Sequence, residues 1–420
     1  MISLWTITVL LCAAIATTTG LYLSWRQKAA VQKHRGQVPA AFADNIKLPA
    51  HQKAADYTTA RLNLDSIAQI IALLLLIAWT MGGGLNLLDE ITTSLGFSGI
   101  WGGVLFMLIF FLASQLLDLP MDLYRTFSTE AQFGFNKVTP KLYAADMLKQ
   151  TLLMLIIGAP LLWVILSLMQ GAGDMWWLYA WCVWGGFMLL MMWAYPTLIS
   201  PLFNHFEPLP DGAMKTRIET LLARCGFESK GLYVMDGSRR SSHGNAYFTG
   251  LGKAKRIVFF DTLINQLKEE ETEAVLAHEL GHFHHGHVKR QIIIMLLMSL
   301  AGFALLGFLA EQSWFYTGLG VTQHSHHAAL TLFLLVMPAF TFVLAPLMNL
   351  FSRRNEFQAD AYAVANSSGQ ALITSLVKMY EDNASTLTPD PLYSSWHDSH
   401  PPAPIRIAHI EQCLKKEPVA

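Results

Sequence analysis

A short run of residues has the types and spacing of a metal site. His278, Glu279 and His282 stand in the pattern H-E-x-x-H. On an α-helix, residues four apart share one face, so both imidazoles can reach one metal ion and the carboxylate can take a proton from water beside it. This is the pattern of zinc proteases. Acidic residues at 269–273, followed by an apolar run, predict a helix here. Gly281 costs that helix about 1 kcal/mol relative to alanine, which suggests that space is needed beside the second histidine.

A catalytic zinc ion also needs a third protein ligand and one position left open for water. Glu356 is the candidate, because it lies four residues before Asp360 on a second predicted helix. Asp360 would then hydrogen-bond to a ligating histidine. The alternative is a solvated helix face on which Glu356 pairs with Arg353 or Arg354. Together with the first motif, the pattern favours the metal site.

Two further positions could contact a substrate. His400 precedes Pro401 and Pro402, and a residue before proline is held out of the helical region. A fixed imidazole of this kind could donate to an oxyanion; the alternative is a surface loop. Asn245 opens the segment 245–248, which could be an edge strand that pairs with a substrate backbone. The alternative there is an ordinary hairpin.

The composition is that of a membrane protein. Of 420 residues, 53% are hydrophobic and only 14% are charged, with a mean hydropathy of +0.36. Soluble proteins carry about a quarter charged residues. The net charge of −1 provides no basic footprint for nucleic acid, so no nucleic-acid partner is expected. The four cysteines show no zinc or redox spacing and are expected to be free.

Hydropathy predicts seven membrane spans, and charge predicts their orientation. The apolar stretches are 2–25, 67–88, 100–119, 147–169, 176–199, 292–310 and 328–350. The first is interpreted as a retained helix, because it lacks the basic start of a signal peptide. Lysine and arginine are absent from 67–119, 150–214 and 291–352, so every second loop lacks them. The positive-inside rule then places the amino terminus outside and the carboxyl terminus and zinc site in the cytoplasm.

These observations predict a mainly α, seven-transmembrane-helix protein with a cytoplasmic α+β zinc-metalloprotease domain. Five spans occupy 1–199, spans six and seven occupy 292–350, and the tail 351–420 contains the third ligand. The polar insertion 200–291 contains a helix at 214–224, strands at 232–235, 246–249 and 256–260, and the metal helix. That helix runs directly into the sixth apolar stretch, and Glu356 follows the seventh. The site should therefore lie on extensions of two neighbouring membrane helices.

The other histidines are given no role. His284, His285 and His287 follow the motif but should mostly point away from the metal face. A second group at 324–327 falls in a loop on the opposite side of the membrane.

Nearly the whole chain resembles the type-I CAAX prenyl protease family, which consists of integral-membrane zinc metalloendopeptidases. The segments that carry the resemblance are HELGH (278–282), SRRNEFQADAYA (352–363), SWHDSHPP (395–402), GSRRSSHGNAYF (237–248), KRIVFFDTLI (255–264), LDLPMDLYRTFSTEAQFGFN (117–136) and PLFNHFEPLP (201–210). The smaller HtpX-type membrane proteases share the metal motifs but have fewer spans.

The resemblance implies a role for each matching residue. His278, His282 and Glu356 would bind one Zn²⁺ per chain, with Glu279 as general base and Asp360 behind the ligands. By the same resemblance, the residues facing the substrate or lining the site would be Asn245, His400 and Arg406. One departure is Ile405, where the family usually has an acidic residue.

Three functions follow as hypotheses. The first is a CAAX-type endoprotease that uses zinc-activated water to remove the last three residues after a prenylated cysteine. The second is a general quality-control protease, similar to the HtpX type, with no prenyl requirement. The third is a transporter or scaffold without hydrolysis, which the scarcity of ionisable residues within the spans disfavours. The expected partners are a peptide or protein substrate and membrane lipid; the expected location is a bacterial inner membrane.

Overall fold

The computed structural model describes residues 3–229, 231–249 and 256–416. Within these ranges, seven helices are long and apolar enough to cross a membrane, as hydropathy predicts. They are Leu4–His34, Leu48–Trp79, Gly99–Glu130, Pro140–Gly171, Gly173–Phe203, His287–Ala310 and His326–Asn366. Several of these helices extend well beyond their apolar stretches, so their polar ends project past the membrane.

The first two spans are continuous helices, whereas spans three to five contain π-turns. Helix α1 is Leu4–His34, α2 is Leu48–Trp79 and α3 is the short Gly84–Ser94. The third span is α4 (Gly99–Tyr124) with a π-turn at Arg125–Glu130, and the fourth joins α5 (Pro140–Leu153) to α6 (Ala159–Gly171) through a π-turn at Met154–Gly158. The fifth joins α7 (Trp176–Ala194) to α8 (Ser200–Phe203) through a π-turn at Tyr195–Ile199. The second span ends at Trp79, before the triple glycine at 82–84, where Gly83 has φ 81°.

A small mixed sheet follows the fifth span. Its strands are β1 (Phe206–Pro208), β2 (Leu232–Met235), β3 (Ala246–Thr249) and β4 (Arg256–Phe260), in the order β1-β2-β4-β3. Strands β2, β3 and β4 have the predicted bounds, and β3 lies at an edge of the described sheet. The pairs β1–β2 and β3–β4 are antiparallel, and β2–β4 is parallel. The sequence did not predict β1, because it has only three residues and ends in proline.

The helix with the H-E-x-x-H motif comes next. After α9 (Ala213–Arg224) and α10 (Asp261–Gln266), α11 is Glu269–His284, with three glutamates in its first turn. The Glu271 carboxylate accepts a hydrogen bond of 2.7 Å from the Lys268 backbone N–H, which closes the helix start. We expected the helix with the motif to continue directly into the sixth span, and this expectation was wrong in one respect. Gly286 adopts a left-handed conformation, φ 67°, and separates α11 from the next helix, so the two helices do not form one straight rod.

The rest of the chain packs onto α11. The sixth span is α12 (His287–Ala310), α13 is Ser313–Thr317, and the seventh joins α14 (His326–Thr341) to α15 (Ala345–Asn366). The tail forms α16 (Gly369–Asp382), α17 (Pro391–His397) and α18 (Ala403–Lys416). One buried apolar cluster joins the sheet to α11, α15, α16 and α18; its members include Phe259, Leu276, Ala363, Leu372 and Ile410. Burial of this cluster holds the third candidate ligand against the first two.

Helices α11 and α15 approach closely at Gly281. A Cβ atom placed there would lie 2.8 Å from the Cα of Ala359 and 3.1 Å from its carbonyl oxygen. Space is therefore needed beside the second histidine, as the sequence suggested, and the neighbouring helix α15 occupies it.

Candidate metal centre

Three donor atoms from two helices converge at the contact between α11 and α15. The Nε2 atoms of His278 and His282 lie 3.3 Å apart. The Glu356 carboxylate lies 3.4 Å from the first nitrogen and 3.3 Å from the second. The helical spacing of four residues places both imidazoles on the face of α11 that meets α15. Side-chain exposure is 8%, 20% and 4%, respectively, so the three groups are largely withdrawn from bulk solvent.

These separations fit a zinc ion. In a tetrahedral site with bonds of about 2.0–2.1 Å, ligand atoms lie about 3.3–3.4 Å apart. The two Nε2 atoms lie 3.3 Å apart, and each approaches a different oxygen of Glu356: His278 Nε2 lies 3.4 Å from Oε2, and His282 Nε2 lies 3.3 Å from Oε1. One donor atom from each residue lies within 4.8 Å of the other two. The Glu356 Oε2 atom is also buried and makes no hydrogen bond of good geometry among the described residues; His278 Nε2 lies 3.4 Å from it and Arg406 Nη1 lies 3.5 Å from it. A buried carboxylate oxygen without a well-formed hydrogen bond is costly, and a bound cation would satisfy it.

Behind His278 lies a buried ionic group. The Nδ1–H of His278 donates to the Asp360 carboxylate at 2.8 Å, which leaves Nε2 free to face the other ligands. Arg406 donates to the same carboxylate through two nitrogens, its Nε at 3.0 Å. Burial and the Arg406 cation both lower the pKa of His278, but the hydrogen bonds to Asp360 and Glu356 outweigh them and raise it to about 9. The exposed Ile405 next to Arg406 does not disturb this packing.

Behind His282 lies a residue that sequence reasoning missed. The Nδ1 of His287 lies 3.0 Å from the Nδ1 of His282, and its Nε2 lies 2.8 Å from the Gln358 side-chain oxygen. No role was assigned to His287 from the sequence, but the turn at Gly286 brings its imidazole against His282, where helical spacing alone would not place it. In the sequence, only Gly286 directly before His287 indicated that the helix could break there.

Glu279 faces an open cavity beside the three donor atoms. The cavity has a volume of about 690 Å³ and is also lined by His282, Glu356, His400 and Tyr247. Glu279 is half-buried there. A carboxylate next to a metal ligand and open to a cavity can exchange a proton with water or substrate.

His400 lies in the wall of the same cavity. Its Nε2 is 3.4 Å from Glu356, and its Nδ1 is 3.0 Å from the Ser399 hydroxyl. The side chain is 61% accessible because it faces cavity space, yet the surrounding protein desolvates the ring and lowers its pKa. A neutral imidazole at this position can donate a hydrogen bond to a substrate oxygen.

Asn245 does not lie beside the donor atoms of the candidate metal centre. It is exposed at the start of the edge strand β3, and its side chain accepts a hydrogen bond of 2.9 Å from the backbone N–H of Ala246. It does not line the cavity beside Glu279, although Tyr247 and Phe248 of the same strand do. Its contact with a substrate stays a prediction.

The fold and the site together define a class: a membrane-embedded metallopeptidase with a His/His/Glu centre. Comparison with known proteins agrees. Residues 27–205 match the family model described as CAAX prenyl protease N-terminal, five membrane helices, and residues 208–414 match peptidase family M48.

Individual relatives and a solved structure are similar along most of the chain. The CAAX prenyl protease 1 homolog of Arabidopsis thaliana is 40% identical over 304 residues, which cover 72% of each chain. CAAX prenyl protease 1 of Saccharomyces cerevisiae is 32% identical, with 94% of this chain and 93% of the yeast chain covered. The crystal structure of S. mikatae Ste24p superposes with a TM-score of 0.91 at 32% identity, covering 97% of this chain and 99% of that one.

The chain therefore belongs to the CAAX prenyl protease family within peptidase family M48. It is a multi-pass membrane zinc metalloendopeptidase that acts on peptide or protein substrates. This membership replaces the transporter or scaffold alternative.

Proposed function

We propose that His278, His282 and Glu356 bind the catalytic zinc ion and that Glu279 is the general base. The observation that carries this proposal is the convergence of three donor atoms, at separations that suit one zinc ion, beside a cavity that also contains Glu279. Asp360 and Arg406 hold His278 from behind.

The proposed chemistry is peptide hydrolysis. When bound, zinc polarises the scissile carbonyl and brings the pKa of the attacking water towards about 7. Glu279 accepts a proton from that water and delivers it to the leaving amine. His400 donates a hydrogen bond to the oxygen on which negative charge develops. Asn245 and strand β3 align the substrate backbone.

The proposed substrate is a carboxyl-terminal CAAX-type segment, from which the enzyme removes the three residues after a prenylated cysteine. The names of the relatives support this assignment. The cavity beside Glu279 supports it as well, since apolar residues of two spans line it, namely Met192, Ile292 and Ile293. Such a surface can contact a prenyl chain.

A quenched peptide assay tests the substrate and the chemistry together. The zinc-loaded protein should cleave a farnesylated CAAX peptide faster than the same peptide without the farnesyl group. Glu279→Gln should keep its zinc and lose hydrolysis, because the amide cannot accept the proton. Equal cleavage of both peptides would instead support the quality-control function. Full activity of Glu279→Gln would remove the proposed base.

We propose the same division of the chain as the hydropathy suggests: spans one to five in 1–199, the insertion 200–291, spans six and seven in 292–350, and the tail 351–420. The amino terminus is placed outside, and the zinc site on the cytoplasmic face.

A bacterial inner membrane is part of this proposal, although the relatives named above are eukaryotic. Membrane fractionation of the native source tests it.

A further inference from the structure

We propose that Arg61 binds the terminal carboxylate of the substrate, in a polar cavity on the far side of His400 from the zinc ligands. The inference rests on the proposed function and deepens it, because it assigns a binding site to the three residues that are removed. Its ligand class is a short peptide with a free carboxyl end.

The polar cavity adjoins the catalytic one. It has a volume of about 520 Å³, is partly open, and is lined mainly by α2, α16, α17 and the loop around His400. Its lining includes Tyr57, Arg61, Asn383 and His400. His400 also lines the cavity that contains Glu279. A peptide can thus extend from the reacting centre past this imidazole into the second cavity, whose volume is in the range of small-ligand sites.

The charges of the polar cavity favour an anion at Arg61. Its guanidinium carbon lies 5.5 Å from the centre of the Tyr57 ring, and among the described residues no carboxylate lies within 4.0 Å of it. Asp65, which also lines the cavity, is already paired with Arg125 at 2.8 Å. Burial raises the pKa of the other lining carboxyl group, Asp398. Arg61 therefore presents a cation without an ionic partner.

The edge strand gives the direction of the substrate. The start of β3 is next to His243, whose Nδ1 lies 3.0 Å from the side-chain oxygen of Asn383, and Asn383 lines the polar cavity. Further along β3, Phe248 lines the catalytic cavity beside His282. A peptide added antiparallel to β3 runs from Phe248 towards Ala246. Its carboxyl-terminal residues then approach the polar cavity.

The Arg61 guanidinium and a terminal carboxylate are chemically complementary. Guanidinium binds carboxylate through two parallel N–H···O bonds, which gives both affinity and geometric selectivity. An amide at the peptide end would offer one oxygen and no charge, so Arg61 should discriminate strongly between the two ends. Hydrogen bonds to charged groups correspond to about 10-fold or more in affinity.

The test compares a farnesylated peptide that ends in a free carboxylate with its carboxamide. Wild type should favour the carboxylate by about 10-fold or more in kcat/KM, through KM. Arg61→Gln should lose this preference, so that its KM values for the two peptides no longer differ, and Arg61→Lys should keep part of the preference. Arg35→Gln is the matched control: Arg35 forms an exposed pair with Asp56 and does not line the cavity, so its preference should be that of wild type.

Inhibition by product provides a second measurement that does not depend on turnover of the long peptide. A free tripeptide with two aliphatic residues and a terminal methionine should inhibit wild type about 10-fold better than its amide, and Arg61→Gln should show no difference. Equal use of both peptide ends by an active wild type would overturn the role of Arg61 and leave the proteolytic function intact. An unchanged preference in Arg61→Gln would do the same. Cleavage of neither peptide by zinc-loaded wild type would overturn the proposed function itself.

Discussion

Each histidine of the candidate metal centre is oriented by a different partner. The carboxylate of Asp360 accepts the Nδ1–H of His278. His282 instead faces a second imidazole: Gln358 accepts the Nε2–H of His287, which leaves His287 Nδ1 as an acceptor for the Nδ1–H of His282. Both arrangements leave Nε2 of the ligand free for the metal.

We therefore expect His287→Ala to weaken zinc binding by about 10- to 100-fold, because His282 would lose the acceptor that fixes its tautomer. His287→Asn, which keeps an acceptor oxygen near the position of Nδ1, should lose less. His284→Ala is the control, since that exposed imidazole packs on Tyr362 and not on a ligand. Competition with a chelator gives the affinities. Wild-type zinc affinity in His287→Ala would show that the contact has no role in holding the metal.

At the scale of residues, the sequence predicted those members of the candidate site that belong to a short local motif. His278 and His282 share one helical face, and Glu356 and Asp360 share another, so spacing predicted all four. Arg406 lies 46 residues beyond its partner Asp360, and only a family resemblance could place it. Because the helix breaks at Gly286, helical spacing could not predict the contact of His287 with His282.

At the scale of elements, the site depends on how closely α11 and α15 approach. Their contact at Gly281 and Ala359 leaves no room for a further atom. Both helices were predicted from the sequence, and α11 begins with the predicted acidic turn. Their close packing was not predictable, because a helical glycine carries no information about which neighbour requires it.

Gly281→Ala should consequently weaken zinc retention, even though alanine favours a helix by about 1 kcal/mol over glycine. The added methyl group would overlap the Ala359 backbone and move Glu356 away from the histidines. Gly186→Ala is the matched control, because nothing lies within 4 Å of a Cβ atom at that helical position. Zinc per chain after dialysis, together with the melting temperature, distinguishes the two. Full zinc retention in Gly281→Ala would contradict the proposed steric limit.

At the scale of the whole molecule, seven helices are long and apolar enough to cross a membrane. The candidate metal centre lies near the start of the sixth and the end of the seventh. Hydropathy was sufficient for the number of spans, because a bilayer-crossing helix needs about 20 apolar residues. It could not reveal the two cavities, which depend on contacts between distant segments. One such contact is the pair between Arg26 at the end of α1 and Asp390 before α17, at 2.8 Å.

The orientation can be tested with two cysteines in a background without the four native ones. Ser94 lies at the exposed end of α3, in a loop without lysine or arginine, and Thr216 is exposed on α9. A membrane-impermeant maleimide should label Ser94→Cys in intact cells and Thr216→Cys only after permeabilisation. The reverse labelling pattern would place the zinc site outside.

The central claim is that one zinc ion is bound by His278, His282 and Glu356, and anomalous scattering at the zinc edge from crystals of the zinc-loaded protein tests it most directly. We predict a single peak at about 2.0–2.2 Å from both Nε2 atoms and from a Glu356 oxygen, which is lost in Glu356→Ala. A peak bound elsewhere in the protein, or one from which Glu356 is beyond coordinating distance, would contradict the account.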